Sequence, residues 1–245
     1  YILRSQMYAE MQSKAHEIIS AVVTNIEPVK GIVTLELGKG GVATLPRNEQ
    51  VAGEELREGQ HVKVYVVDVM ETERGPRMMI SRTHPGLVKR MFEMEVPEIF
   101  DGTGEIKAIS REAGARTKMA VWSKDENVDP VGACIGPRGQ RVANIVEELG
   151  GEKIDIVRWS ADPAQFISAA LSPATVVGVE LLEGDTKSCR VTVPDHQLSL
   201  AIGNKGQNAR LCARLTGYNI DIRPESGYYG EEPPVKKTPE PAAEE

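Results

Sequence analysis

Two stretches of this chain, Ala133–Ile156 (ACIGPRGQRVANIVEELGGEKIDI) and Leu200–Ile222 (LAIGNKGQNARLCARLTGYNIDI), nearly repeat one another. Each writes Ile-Gly-x-x-Gly-Gln, then a run of mixed polar and apolar residues, a glycine stop, and Ile-Asp-Ile. In the first run Val142, Ile145, Val146 and Leu149 fall at i, i+3, i+4 and i+7, which predicts one apolar face of a helix. Gly150 and Gly151 end it, as Gly217 ends the second. Ile135 and Ile202 are 67 residues apart, while Ile154 and Ile220 are 66 apart. The missing residue falls in the turn after the helix, where loops tolerate deletion.

The repetition extends upstream. Before the first loop come a helical stretch (GLVKRMFEMEVPEIF, ending before Pro97), a strand pair (GEIKAISREAG and ARTKMAVWS), and a short helix opened by Asp129-Pro130. Aspartate can cap free backbone N–H groups, and proline fits the first helical position. Before the second loop Asp162-Pro163 opens DPAQFISAAL, the pair is ATVVGVELLE and KSCRVTVP, and Asp195 is placed to cap DHQLSLAI. A seven-element order written twice is a duplicated module. Only Leu171-Ser172-Pro173 separates the second module's helix from its first strand, and that helix starts just after Trp159. So short a join predicts a rigid pair presenting one continuous surface, which makes a second contact effectively intramolecular.

Glycines let backbone approach backbone in conformations closed to other residues. The helix after each loop turns its free N–H groups and positive dipole end toward it, which suits an anion. Arg138 and Lys205 add positive charge at the same loop position, and Arg141 and Arg210 follow on the next turns. Candidate binding residues are therefore Ile135, Gly136, Pro137, Arg138, Gly139, Gln140 and Arg141 in the first loop. In the second they are Ile202, Gly203, Asn204, Lys205, Gly206, Gln207 and Arg210. The strands Ile154-Asp155-Ile156 and Ile220-Asp221-Ile222 are expected to offer apolar surface for bases, with the aspartates meeting a base edge or capping a loop. One Gly-x-x-Gly is usually an ordinary tight turn. Two in the same order, with a basic residue at the same place, point to a clamp on single-stranded nucleic acid.

Each repeat resembles a KH module, whose GXXG loop clamps about four nucleotides of single-stranded RNA. The strand pair ahead of the loop resembles the bacterial type II arrangement. Between Glu17 and Arg82 five short strands read out (EIISAVVTNIEP, GIVTLEL, GVATLP, HVKVYVVDVM, PRMMISR), with a Gly-Pro turn at Gly75-Pro76, as in a small OB-type barrel. An S1-like barrel followed by two KH modules resembles the NusA family of bacterial transcription elongation, termination and antitermination factors. The match is closest over DPVGACIGPRGQR, GEKIDIV, LSPA and VPDHQLSLAIGNKGQNARLCARLTGYNIDI. The fold expected is thus multidomain: a small antiparallel β-barrel (OB/S1-like), then two α+β type II KH domains. The boundaries expected are the end of a connecting helix at 1–16, the barrel at 17–83, KH modules at 84–160 and 161–224, and a disordered acidic tail at 225–245. The resemblance implies contact with nascent single-stranded RNA, RNA polymerase, and termination or antitermination factors in the bacterial cytoplasm. The family's polymerase-binding N-terminal domain is unmatched apart from that helix, so the chain reads as a piece of a longer protein. The barrel lacks stacking aromatics in GIVTLELGKGGVATLP; Lys39, Arg47, Lys63 and Arg77 are its candidate phosphate contacts.

Composition narrows the alternatives. The net charge of -7 excludes coating of nucleic acid by bulk charge, so a polyanion must be held at local basic sites. More than half of the deficit lies in residues 225–245; a tail of this charge beside the only net positive segment is poised to compete with RNA for the loops. No apolar run approaches the roughly 20 residues of a membrane span. Cys134, Cys189 and Cys212 lie far apart with no CxxC pair, which fits a reducing compartment and neither a disulfide framework nor zinc. His16, His61, His84 and His196 show no metal-ligand spacing. LGKGG at Leu37–Gly41 lacks the upstream glycine and following Ser/Thr of a phosphate loop. The sequence indicates no enzyme and no cofactor. An RNA-binding subunit of a processing or decay assembly is the alternative, since KH and S1-like modules occur there too, although in the phosphorolytic bacterial enzyme they follow a catalytic core in reverse order. A protein-only interaction module is a further one.

Overall fold

Alternation between Glu17 and Arg82 resolves into five antiparallel strands in a computed structural model, which describes residues 2–38 and 41–227. Lys39 and the tail from 228 onward lie outside the described residues. The strands are β1 (Ile18–Ile26), β2 (Val33–Gly38), β3 (Gly41–Leu45), β4 (His61–Thr72) and β5 (Gly75–Ser81), in sheet order β3-β2-β1-β4-β5. β3 returns against β5, so the sheet is nearly closed. Val62, Val64 and Val66 face inward at period two. A bulge between Val66 and Asp68 then shifts the register, so the next inward residue is Val69. These valines pack with Val23, Val33, Leu35, Leu45 and Ile80, each contributing about 1.5–3 kcal/mol by leaving water. The β4–β5 hairpin turns at Glu73-Arg74 and not at Gly75-Pro76, which are already paired with Thr72 and Glu71. Proline is tolerated there because β5 stands at the end of the sheet order.

The chain divides into two compact units, Tyr1–Glu95 with Ala113–Ala115 and Asn144–Glu152, and Val96–Glu112 with Arg116–Ala143 and Lys153–Glu245. The first unit carries the barrel, helix α1 (Ile2–Gln12) and helix α2 (Pro85–Glu95), whose Leu87, Val88, Met91 and Phe92 are buried on one face. Arg82, almost wholly buried, donates through two nitrogens to Glu54 at 3.0 and 2.6 Å and to the Lys63 carbonyl at 2.7 Å.

The second unit contains two mixed sheets of the same design. The first has order β6-β7-β8, with β6 (Gly104–Glu112) antiparallel and β8 (Lys153–Arg158) parallel to β7 (Arg116–Ser123). The second has order β11-β10-β9, with β9 (Gly178–Leu182) antiparallel and β11 (Asn219–Pro224) parallel to β10 (Ser188–Val193). The duplication holds at the level of register: Lys118 stands opposite Asp155, and Arg190 opposite Asp221. Short helix α3 (Pro97–Phe100) precedes the first sheet. The parallel crossovers run through α4 (Pro130–Ile135) and α5 (Gln140–Glu148), and through α7 (Leu198–Ile202) and α8 (Gln207–Thr216). Asp129 and Asp162 cap α4 and α6 (Pro163–Ala170), each accepting from the N–H two residues on at 3.1 Å. Asp195 does not cap α7. A 3-10 turn at Asp195–Gln197 intervenes, and the Asp195 carboxylate accepts instead from the Ser226 N–H at 3.0 Å.

The second module's core is built from Phe166, Ile167, Cys189, Val191, Cys212, Leu215, Ile220 and Ile222, and it includes Ala120 and Val157 of the first sheet. Helices α6 and α8 lie on that first sheet. The Lys118 ammonium, with no exposed surface, reaches across to the Ser172 carbonyl at 2.6 Å. The two modules therefore share an interior, as the short join predicts.

Candidate nucleic-acid interface

The two glycine loops are superimposable in their torsions. Gly136 and Gly203 take φ 77° and 81° with ψ 172° and 171°, a conformation essentially confined to glycine. Arg138 (φ 57°, ψ 25°) and Lys205 (φ 54°, ψ 29°) are left-handed non-glycine residues, uncommon for side chains of this size. Gly139 and Gly206 close each loop by donating to the carbonyls of Gly136 and Gly203 at 3.0 and 3.1 Å. The left-handed turn leaves Arg138 and Lys205 exposed, together with Pro137, Gln140 and Asn204. Gly139 and Gln207 are half-buried and Gly206 is buried.

The neighbouring side chains hold the loops from behind. Arg141 packs under Gly136, where a Cβ would come within 2.5 Å of its Cγ, and donates to the Ala133 carbonyl at 2.7 Å and to Glu98 at 3.0 Å. Asn208, 67 residues on, packs under Gly203 and donates to the carbonyls of Ala201 at 2.8 Å and Leu171 at 3.2 Å. Arg210 donates to the Lys205 carbonyl at 2.9 Å and to both Glu112 oxygens at 2.8 Å. Arg141 and Arg210, expected from the sequence to reach a ligand, thus spend their guanidinium groups on loop carbonyls and carboxylates. Asn208, Glu98 and Glu112 were not legible as site residues. The offset of 67 from Arg141 points to Asn208; no local pattern points to the two glutamates.

Of the isoleucines expected to offer apolar surface beside the loops, only those of the first module are open. Ile135 is 38% exposed, and Ile154 and Ile156 are half-buried. Ile202, Ile220 and Ile222 are at most 3% exposed and belong to the core, so they form no open surface. The reason is visible in the helices. β11 packs with α7 and α8, and Leu215 of α8 shares the core with those isoleucines, whereas β8 packs with α4 and α6. The aspartates are also engaged: Asp155 with Arg116 at 2.9 Å and Lys118 at 3.1 Å, and Asp221 with Arg223 at 2.9 Å and Arg190 at 3.8 Å. These strand aspartates pair neighbouring cations.

On the barrel, Arg77 reaches Thr44 at 3.5 Å, Lys63 lies 3.7 Å from Glu148, and Arg47 lines the turn at Gly31. All three cysteines are free and buried, and burial pushes their thiols up to about 12, so none supplies a thiolate near neutral pH. Among the described residues no group of His, Cys, Asp and Glu could hold a metal ion, and no helix is long and apolar enough to cross a membrane.

Comparison with known proteins agrees with this architecture. The S1 RNA binding domain family matches residues 12–81, the NusA-like first KH domain 82–159, and the NusA-like second KH domain 163–229. The transcription termination/antitermination proteins NusA of Halalkalibacterium halodurans and Bacillus subtilis are 51% and 50% identical over 223 residues. These matches take in 91% of this chain but 57% and 59% of those proteins, so it spans rather more than half their length. The namesake of Mycobacterium tuberculosis is 47% identical over 239 residues, 96% of this chain and 67% of that protein. An S1 barrel, two KH modules with matching loops, and identity at this level across both place the chain in the NusA family.

Proposed function

We propose that this chain is the RNA-binding part of a transcription termination/antitermination factor: a barrel at 17–83 and KH modules at 84–160 and 161–224 over which single-stranded nascent RNA runs. The observation that carries this reading is the pair of left-handed basic residues, Arg138 and Lys205, held outward on identical loops. Loop amides and these two cations hold phosphates, and Ile135, Ile154 and Ile156 give bases an apolar rest in the first module. Arg141 and Arg210 shape the loops, and Asp155 and Asp221 balance the strands' cations. By this contact the whole protein acts on RNA polymerase, with other termination or antitermination factors, in the bacterial cytoplasm. The role is binding, not catalysis.

The test is binding of a short unstructured RNA against salt, comparing the chain with R138D/K205D. Carboxylates placed where phosphates sit cost about 1–4 kcal/mol per contact, depending on local dielectric. The expected result is a log–log salt slope of about -0.7 per phosphate contacted, with binding lost in the folded double variant. Equal binding by that variant would make the loops scaffold and move the search to the barrel.

A further inference from the structure

We propose that Glu112, on the first module's β6, is a positioning residue for the second module's RNA loop; this rests on the RNA reading above. The loop in question owes its shape to Lys205, whose left-handed backbone turns its carbonyl toward α8. Arg210 takes that carbonyl with one guanidinium nitrogen at 2.9 Å. Its other edge, Nε and Nη2, is gripped by the two Glu112 oxygens at 2.8 Å each. A bidentate charged pair fixes direction as well as distance. Arg214 at 3.6 Å and Gln207 at 3.4 Å converge on the same carboxylate. Arg210 holds the Glu112 carboxyl below the usual carboxylate range, so it is ionised at neutral pH.

Glu112 is therefore the anchor of a relay from the first sheet, through Arg210, to the apex of the second loop. Nearby, the Ser110 hydroxyl donates to the Leu211 carbonyl at 2.8 Å, which fixes α8 on the same strand. The first loop is braced differently: Arg141 reaches Ala133 and Glu98 within its own module. Of the two arginine braces, the second loop's is thus the one anchored in the module before it. It also means that Arg210's charge is already neutralised and serves to position, leaving Lys205 as the cation that meets RNA.

A mutant cycle on the full chain tests this, using an unstructured RNA of about ten nucleotides, long enough for two clamps of about four each. E112Q keeps the shape of the side chain and removes its charge. It is expected to weaken binding roughly fivefold, the low end of coupling between sites. That loss should vanish when K205D has already disabled the second loop and persist in full beside R138D. Amide exchange at Asn204–Gly206 should quicken in E112Q while that at Arg138–Gly139 stays unchanged. Should E112Q disturb folding, R210K gives the same reading: it keeps a cation but cannot hold both the fork and the Lys205 carbonyl, so it should weaken binding as E112Q does. Unchanged or tighter binding in either variant overturns the proposal, as does a loss that persists undiminished beside K205D. If R138D and K205D themselves leave binding intact, the RNA reading fails instead, and exchange at the second loop alone decides whether the relay exists.

Discussion

The two modules share loop torsions to within a few degrees, yet they use their isoleucines in opposite ways. The first leaves Ile135, Ile154 and Ile156 partly open; the second closes Ile202, Ile220 and Ile222 into its core. Duplication preserved the loop backbone, where any change of φ would destroy the turn. It did not preserve the apolar flank, where β11 lies under α7 and α8 with its isoleucines in the core and β8 meets α4 and α6 with its isoleucines half-buried. The pair is best regarded as two loops alike in backbone and unlike in their apolar flanks.

Paired substitutions can break or sharpen this contrast. Ile202→Ala should destabilise the chain by about 2–5 kcal/mol through a core cavity. Ile135→Ala, at a surface position, should cost less than about 0.5 kcal/mol and show itself as weaker RNA binding. Equal losses in urea unfolding would mean that the two flanks are alike after all. Next in size, Gly203→Ala and Gly136→Ala each force a side chain into glycine-only backbone at about 1–3 kcal/mol. Neither loop has room for it: the added Cβ would stand 2.7 Å from the Asn208 backbone nitrogen in the second, and 2.5 and 2.8 Å from the Cγ and Cβ of Arg141 in the first. Thermal unfolding should show a comparable loss in both; a loss confined to one variant would show that the two braces differ in rigidity.

The smallest effect is in acid. The Glu112 carboxyl is depressed by Arg210, so its stabilisation is present above the unfolded carboxyl pKa and lost as pH falls through the folded one. Wild type should exceed E112Q by up to about 1 kcal/mol at neutral pH, since the arginine is partly exposed. The two should converge in acid below the folded pKa. A gap that stays constant with pH would assign the stability to shape and not to charge.

Much of the fold was legible because its signals are local. Period-two alternation gave the five barrel strands, and Asp-Pro pairs gave two helix starts. The same aspartate logic failed at Asp195, because a backbone N–H from Ser226, far along the chain, claims the carboxylate first. The loops were legible as a glycine pattern with a cation. Their supports were not, since Glu98 and Glu112 arrive from strands and helices outside the repeated text. Ile-Asp-Ile is written identically in β8 and β11, and no reading of those three letters separates an open strand from a covered one. What distinguishes them is the helix packed above.

The shared interior also sets an order of events during synthesis. Ala120 and Val157 are made before any residue of the second module, yet they form part of its core. Emerging N-terminal end first, the chain presents the first sheet as a template on which α6 and α8 condense. The second module then has no complete hydrophobic nucleus of its own, and residues 161–224 without Ala120 and Val157 lack part of their core.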